Sequence, residues 1–590
     1  MKSIGTRQIA NRRLGWAVLA MAAFAVLAGK LFYVQIMKHD HYYRQAQKIQ
    51  ARRWPIEAPR GNIYDQNGNP LALNLKLYSV AADPELVESA EAVAADLTPL
   101  LRTPRNTLTK KLTADGQRRY VRLQDSVDQP IADSIRELHC PGIIVNTQWR
   151  RAYPHGTLAA PLLGFTGKER SGLGGIEQAL NDRLAGSDGE MLAAVDGRLP
   201  RSRSQIPGRT IVSKRMVPGS SVVLTIDLDI QAIAEEELAK AVEQANAASG
   251  TALVMDPQNG EVLALASQPS FDPNEFWRYP ERNWVCPAVV SPYEPGSTFK
   301  VITAVAALEE GVMSHGETYH CTGSRSVGQR TVSCALHGGR RDHGVVNLDD
   351  MITKSCNTGI ATVAIRLGAG RINKWLKRFG FGEQTGIELS GESRGLLPSG
   401  DDWPQIRVAN VGFGQGIAVT PLQLLSAYCA IANGGWLVRP RVVKAVTDAG
   451  GKIEALQTPK PERILSTATS ERLKEMMTKV VTEGTGAGAQ IHGRTVAGKT
   501  GTAQKPTPEK GFRSGLYVGS FAGFAPVSDP QLAVLVVIDE PQNGHYGGVV
   551  AAPAFRAICE RALTYLRVPP DGLSPGIDAP LSLALAAEKD

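Results

Sequence analysis

An α+β fold is predicted for this chain: a large C-terminal domain on an antiparallel sheet, a smaller domain before it, and one membrane-spanning helix ahead of both. Three observations predict it. From about residue 220 onward, apolar strand-like runs open and close the region and helical stretches fill the middle, the order of an antiparallel sheet and not of alternating βαβ units. Residues 14–37 carry a single charge, Lys30, and are long enough to cross a hydrocarbon core of ~30 Å. The composition belongs to a folded chain: of 590 residues 43% are apolar and 21% charged, and 59 glycines with 36 prolines fall short of collagen-like or low-complexity content. Such a length allows up to roughly four domains.

Charge and cysteine content narrow the function classes. Lys plus Arg at 65 against Asp plus Glu at 57 leaves +8, spread too thinly for a nucleic-acid footprint, so no nucleic-acid partner is expected. Seven cysteines are too few for a disulfide scaffold, and the odd number leaves at least one thiol free or paired outside the chain.

The elements follow in order. Residues 1–13 hold Lys2, Arg7, Arg12 and Arg13 and no acid, which places them in the cytoplasm, although Lys38, Arg44, Lys48, Arg52 and Arg53 blunt the asymmetry. In the span itself Lys30 can snorkel, and Trp16 and Tyr33 sit as belt residues. A cleaved signal peptide is the alternative, because the uncharged run before Lys30 is 16 residues and Ala20 and Ala22 are small. The remaining chain is then extracytoplasmic. Residues 50–215 form the first soluble domain, with a turn at Asp65-Gln66-Asn67-Gly68 and a basic boundary loop from Arg198 to Arg215. Residues 220–566 form the second. Here Val222–Ile226 reads as a strand, and Thr251–Met255 and Glu261–Ala266, joined by Asp256-Pro257-Gln258-Asn259-Gly260, read as a hairpin. Pro295-Gly296 opens a helix to Leu308 that is apolar nearly all round and therefore buried. Tyr517–Ala525 and Leu532–Ile538 are two more strands, and 567–590 reads as a flexible tail.

Three short motifs in the second domain carry chemistry. In Ser297-Thr298-Phe299-Lys300 the i, i+3 spacing puts a hydroxyl and an amine on one helical face, where the lysine can take the serine proton. Taken alone it is equally a Ser N-cap with a surface lysine, but this helix is too apolar to be a surface helix. Ser355-Cys356-Asn357 is by itself a polar loop between helices. In Lys499-Thr500-Gly501-Thr502, strand alternation sends Lys499 and Gly501 to one face, and the bare glycine admits a bound acyl group against the backbone. Residues 493–500 also match G-x-x-x-x-G-K-[ST], the phosphate-cradling P-loop. That motif must follow a buried strand and open a helix, whereas a Gly-rich stretch precedes it here and Pro506 and Pro508 follow.

In this order the three motifs resemble the active-site signatures of the penicillin-binding proteins and serine β-lactamases. The resemblance spans nearly the whole chain. Arg60-Gly61-Asn62-Ile63-Tyr64-Asp65-Gln66-Asn67-Gly68, and Arg151-Ala152-Tyr153-Pro154 through Gly172-Leu173-Gly174-Gly175-Ile176-Glu177, look like the pedestal motifs of class B penicillin-binding proteins, with Gln66 where that pattern has arginine. Gly412–Gly416 with Thr420–Leu424, and Gly547–Pro553, look like the septal or spore-septum branch.

The resemblance implies a transpeptidase domain whose antiparallel sheet carries helices on both faces, standing on an N-terminal pedestal or dimerisation domain. It implies a D,D-transpeptidase that cross-links peptidoglycan stem peptides ending in D-Ala-D-Ala, binds β-lactams and needs no metal or organic cofactor. Ser297 would be the nucleophile, Lys300 its base and Ser355 a proton relay. Asn357 would orient Lys300, Lys499 and Thr500 would hold the terminal carboxylate, Gly501 would lie against the acyl group, and the N–H groups of Ser297 and Thr502 would form the oxyanion hole. Burial and a second cation, Lys499, would depress the pKa of Lys300. A membrane glycosyltransferase and division proteins are the implied partners. A D,D-carboxypeptidase or an elongation-type enzyme shares these motifs, and the non-enzymatic alternative is a division scaffold.

Between the first two motifs lie Cys321, Cys334, His337 and His343, and the second motif itself holds Cys356. A Cys321–Cys334 disulfide, a tetrahedral zinc site of Cys and His ligands, and unpaired thiols are all compatible with these spacings.

Overall fold

The computed structural model describes residues 4–42, 51–84, 86–113, 120–195, 205–314, 316–335, 341–448, 450–457, 459–507 and 511–571. His337 and residues 572–590 of the expected tail lie outside them. The described residues cluster into two compact units, Met1–Ala58 with Gly186–Pro218, and Pro59–Ala185 with Gly219–Asp590.

In the first unit, helix Ile4–Phe32 runs into a π-helical turn at Tyr33–Met37. Its stretch Arg12–Met37 is long and apolar enough to cross a membrane and is not buried against protein; Leu14, Trp16 and Phe24 stand exposed. The same unit holds a three-stranded antiparallel sheet of Gly189–Val195 flanked by Ala51–Ile56 and Gln205–Lys214.

The second unit carries the predicted antiparallel sheet. Five strands lie in the order Val262–Gln268, Ser249–Met255, Leu532–Asp539, Gly511–Ala525, Ala497–Thr507, every pair antiparallel. The hairpin forms as read, with Val262 opposite Met255. Alternation along Ser249–Met255 sends Ala252 and Val254 into a core with helices Leu228–Gln244 and Ala552–Tyr565. Leu253 and Met255 face the other way, into the larger core with helices Lys300–Glu309, Asn357–Arg378 and Pro421–Ala432. Helices therefore cover both faces.

Local sequence explains where the helices start. Asp227 accepts from the N–H groups of Asp229 and Ile230, and Asn347 with Asp350, then Thr420 with Gln423, close reciprocal capping boxes. In the Thr420 case Pro421 fills the first helical position, where no N–H is missed.

A second sheet of this unit joins distant segments. Ile453–Ala455, Val443–Thr447, Ser221–Leu224, Ile63–Tyr64, Pro70–Ala82 and Val121–Val127 lie in that order, and Ile143–Ala152 also pairs with Pro70–Ala82. Residues of the predicted first domain thus share a sheet with strands from beyond 220. The three pedestal-like motifs meet in one buried ion network: Arg60 Nε and Arg151 Nε donate to the two oxygens of Glu177 at 2.5 and 2.6 Å. Gln66 is used as well, its amide donating to Asp227 Oδ2 at 2.9 Å. The chain beyond Leu566 is held further than the sequence suggests: Arg494 donates to the carbonyls of Val568 and Pro569, and Asp571 accepts from the Thr495 N–H.

Candidate active site

Gly296–Phe299 is a 3₁₀ turn that passes directly into the α-helix Lys300–Glu309, so the predicted helix begins one tight turn before it becomes regular. In a 3₁₀ turn side chains at i and i+3 eclipse, which aligns Ser297 with Lys300 more closely than an α-helix would. Ser297 is half-buried and Lys300 fully buried. The turn needs Gly296, whose φ of 55° lies in the left-handed region and whose Cα faces the Thr502 carbonyl. Tyr428 Oη donates to the Thr298 carbonyl at 2.7 Å and pins the turn from behind.

The Lys300 amine is fixed from across the cleft. It donates to Ser355 O at 2.6 Å, Ser355 Oγ at 3.1 Å and Asn357 Oδ1 at 2.5 Å. Ser355 reaches this position through a left-handed backbone, φ 56°, between helices Leu348–Thr353 and Asn357–Arg378. For a non-glycine residue that conformation is uncommon and points to a constrained site. The Asn357 amide in turn donates to the Ser333 carbonyl at 2.9 Å.

Lys499 stands in strand Ala497–Thr507, fully buried, and donates to Thr500 O and Thr500 Oγ1 at 3.2 and 3.3 Å. It opens no helix, which removes the P-loop reading. Gly501 shares its face, as alternation predicts: a methyl group there would come 2.3 Å from Ser520 Oγ, 2.9 Å from Thr298 Cγ2 and 3.1 Å from Pro295 O. Thr500 and Thr502 point the other way, Thr500 Oγ1 to Thr485 Oγ1 at 2.7 Å and Thr502 Oγ1 accepting from the Gly547 N–H at 3.2 Å. The structure thus joins Lys300, Ser355 and Asn357 by hydrogen bonds, keeps Lys499 in contact with Thr500, and packs Gly501 and Thr502 against the turn that carries Ser297. Sequence reasoning missed Thr485, Ser333 and Tyr428. The glycine-flanked Gly484-Thr485-Gly486 was the one available signal.

Burial is the main cause that pulls the Lys300 pKa down to about 8, and the electrostatic influence of the neighbouring Cys356 and Cys334 sulfurs opposes it. Lys499 is held well below the usual lysine range, first by burial and then by repulsion from Lys300. Of the two causes expected for Lys300, burial acts on it, while the repulsion between the amines lowers Lys499. Among the described residues no carboxylate forms an ion pair with either amine.

Cys321, Cys334, His343 and Cys356 form a cluster beside Asn357. The hydrogen bond from Cys356 holds the Cys334 thiol down at about 4, and the same contact keeps the proton on Cys356.

Comparison with known proteins places the whole chain. Residues 250–560 match the penicillin-binding protein transpeptidase domain and residues 55–224 the penicillin-binding protein dimerisation domain. Stage V sporulation protein D of Bacillus subtilis is 32% identical, the match covering 95% of this chain and 87% of that protein. The peptidoglycan D,D-transpeptidase FtsI of Escherichia coli is 31% identical over 94% of this chain and 92% of its own length. The crystal structure of penicillin-binding protein 3 from Mycobacterium tuberculosis in complex with aztreonam superposes with a TM-score of 0.69 at 30% identity, covering 88% of this chain and 98% of that one.

Proposed function

This chain belongs to the class B penicillin-binding proteins, and from that premise we propose that it is a serine D,D-transpeptidase that cross-links peptidoglycan through an acyl-enzyme on Ser297. The observation that carries the assignment of roles is the buried Lys300 amine, one 3₁₀ turn from Ser297 and held by Ser355 and Asn357.

Neutral Lys300 accepts the Ser297 proton as Oγ attacks the carbonyl between the two terminal D-alanines. Charge then develops on the carbonyl oxygen, and the N–H groups of Ser297 and Thr502 would be its donors, a role that the packing of Gly296 on the backbone of Thr502 supports. Collapse breaks the C–N bond. The leaving amine takes its proton from Lys300 through Ser355 Oγ, which the amine already contacts at 3.1 Å. D-Ala departs, and an amine of a neighbouring stem attacks the ester, returning the proton to Ser297. Lys499, deprived of water by burial, supplies the site for the terminal carboxylate together with Thr500, whose hydroxyl is positioned by Thr485. Past Gly501, the same strand face continues through Ala503 and Lys505 into a cleft of about 1460 Å³, room for the rest of a stem peptide.

The apolar segment Arg12–Met37 fits a single-pass anchor. We take its basic head to be cytoplasmic and the domains that follow to be extracytoplasmic, with a membrane glycosyltransferase and division proteins as partners. The motifs at 412–424 and 547–553 support the septal branch.

Labelled penicillin followed by peptide mapping tests the assignment. Label is expected on Ser297 and absent in Ser297→Ala with the fold retained. Label on another residue, or undiminished in the variant, overturns it. Release of D-Ala without cross-linked product from paired stem peptides would instead assign the carboxypeptidase reaction.

A further inference from the structure

Three cysteines and one histidine, widely separated in sequence, bring their ligand atoms within 4.8 Å of one another at the end of the active-site loop. Cys321 closes the short strand Tyr319–Cys321, Cys334 follows the hairpin Ser324–Val327/Arg330–Ser333, and His343 precedes strand Gly344–Val346. Cys356 caps helix Asn357–Arg378. Cys334 Sγ lies 3.8 Å from both Cys321 Sγ and Cys356 Sγ, and His343 Nδ1 lies 3.5 Å from Cys321 Sγ. A tetrahedral zinc ion with Zn–S of about 2.3 Å and Zn–N of about 2.0–2.1 Å has S···S edges of about 3.8 Å and S···N edges of about 3.5 Å. The observed separations reproduce both.

The surroundings suit thiolates bound to a cation. Each sulfur accepts one backbone N–H: Cys321 from Gly323 at 3.4 Å, Cys334 from Thr358 at 3.5 Å and Cys356 from Gly359 at 3.3 Å. Such outer donors spread the thiolate charge and orient the ligands. A disulfide accounts for less: it would use one of two equally spaced sulfur pairs and leave the third sulfur and the imidazole without a role.

We propose that Cys321, Cys334, His343 and Cys356 bind one structural zinc ion through three thiolate sulfurs and one imidazole nitrogen, any proton still carried by a thiol leaving to solvent on binding. Its closed Cys₃His set leaves no open position for catalysis. The ion acts by position: Cys356 lies between Ser355 and Asn357, so the metal ties the strand-and-hairpin insert to the residues that hold Lys300.

The test uses the full chain, purified in detergent without chelator and with any affinity tag removed. Elemental analysis should find one zinc per chain, retained through dialysis, and the zinc absorption edge should fit three sulfurs and one nitrogen. Cys334→Ser and His343→Ala should lose the metal, while Cys429→Ser, at a buried cysteine outside the cluster, should keep it. Because the parent protein is measured first, a variant that fails to fold does not decide the outcome. Metal-free protein, zinc that dialyses away, a Cys321–Cys334 disulfide by mass, or zinc undiminished in Cys334→Ser overturns the site. Stripping the zinc should slow Ser297 acylation several-fold without moving the label, and an unchanged rate overturns the positioning role. The metal count does not depend on acylation, so failure of the zinc site and failure of the transpeptidase reading are distinguishable.

Discussion

Two groups of buried cations sit in the same compact unit and are built on opposite rules. Arg60 and Arg151 share the carboxylate of Glu177, with side-chain exposures of 6%, 4% and 0%, and the guanidinium groups go on to the Glu177, Arg170 and Gly61 carbonyls and to Asn181. Lys300 and Lys499 are just as buried, yet their bonds go to carbonyls, hydroxyls and an amide. The first arrangement pairs cation with anion and fixes three chain segments. The second makes charge costly, which lowers the pKa of both lysines. Burial with a carboxylate partner builds structure, whereas burial without one makes an amine that is easier to discharge, as Lys300 requires.

If that contrast holds, the two groups should fail differently when broken. Lys300→Met should slow acylation of Ser297 by on the order of 10³-fold or more while leaving the thermal midpoint unchanged or raised, since a general base is lost and a buried amine is removed. A midpoint that drops with the activity would make Lys300 structural. Glu177→Ala should do the reverse, costing about 3–5 kcal/mol in denaturant because two buried guanidinium groups lose their shared anion, with the folded fraction still acylated at the parent rate. Lys499→Ala should slow acylation by carboxylate-bearing penicillins by about 10²-fold and by their methyl esters far less, a ratio that reads its carboxylate role. Saturable ATP binding lost in that variant would restore the phosphate-loop reading. The smallest effect is expected for Gly501→Ala: a methyl group 2.3 Å from Ser520 Oγ should destabilise by about 1–3 kcal/mol and slow acylation by displacing the strand from Ser297.

How much of this was legible in the sequence depended on range. Ser297 and Lys300 are one turn apart, and Lys499 and Gly501 two residues apart on a strand, so local periodicity was enough to align them. The hairpin at 251–266 and the strands at 517–538 were legible for the same reason. The contact of Lys300 with Asn357 bridges 57 positions, and no periodicity encodes it; only the resemblance suggested it. Nor does local pattern reveal that Ile63–Tyr64 would pair with Ser221–Leu224 in parallel, so that one sheet draws strands from both sides of the boundary expected near 215. The left-handed Ser355 was hidden too, because serine carries no signal for positive φ as glycine does. In the Cys and His segment the residue types were visible, but choosing among disulfide, metal and free thiols required the distances.

The central claim, that an unpaired buried lysine is the base for Ser297, is tested most directly by the pH dependence of the second-order rate of Ser297 acylation by labelled penicillin. The neutral amine is the active form and its fraction grows as pH rises through the pKa, so the rate should climb with pH to a plateau with a midpoint near 8. In Lys300→Arg, where the cation cannot be discharged, the rate should be low and the rise absent. A rate that is flat between about pH 6 and pH 10, or a rise that survives unchanged in Lys300→Arg, would contradict the account.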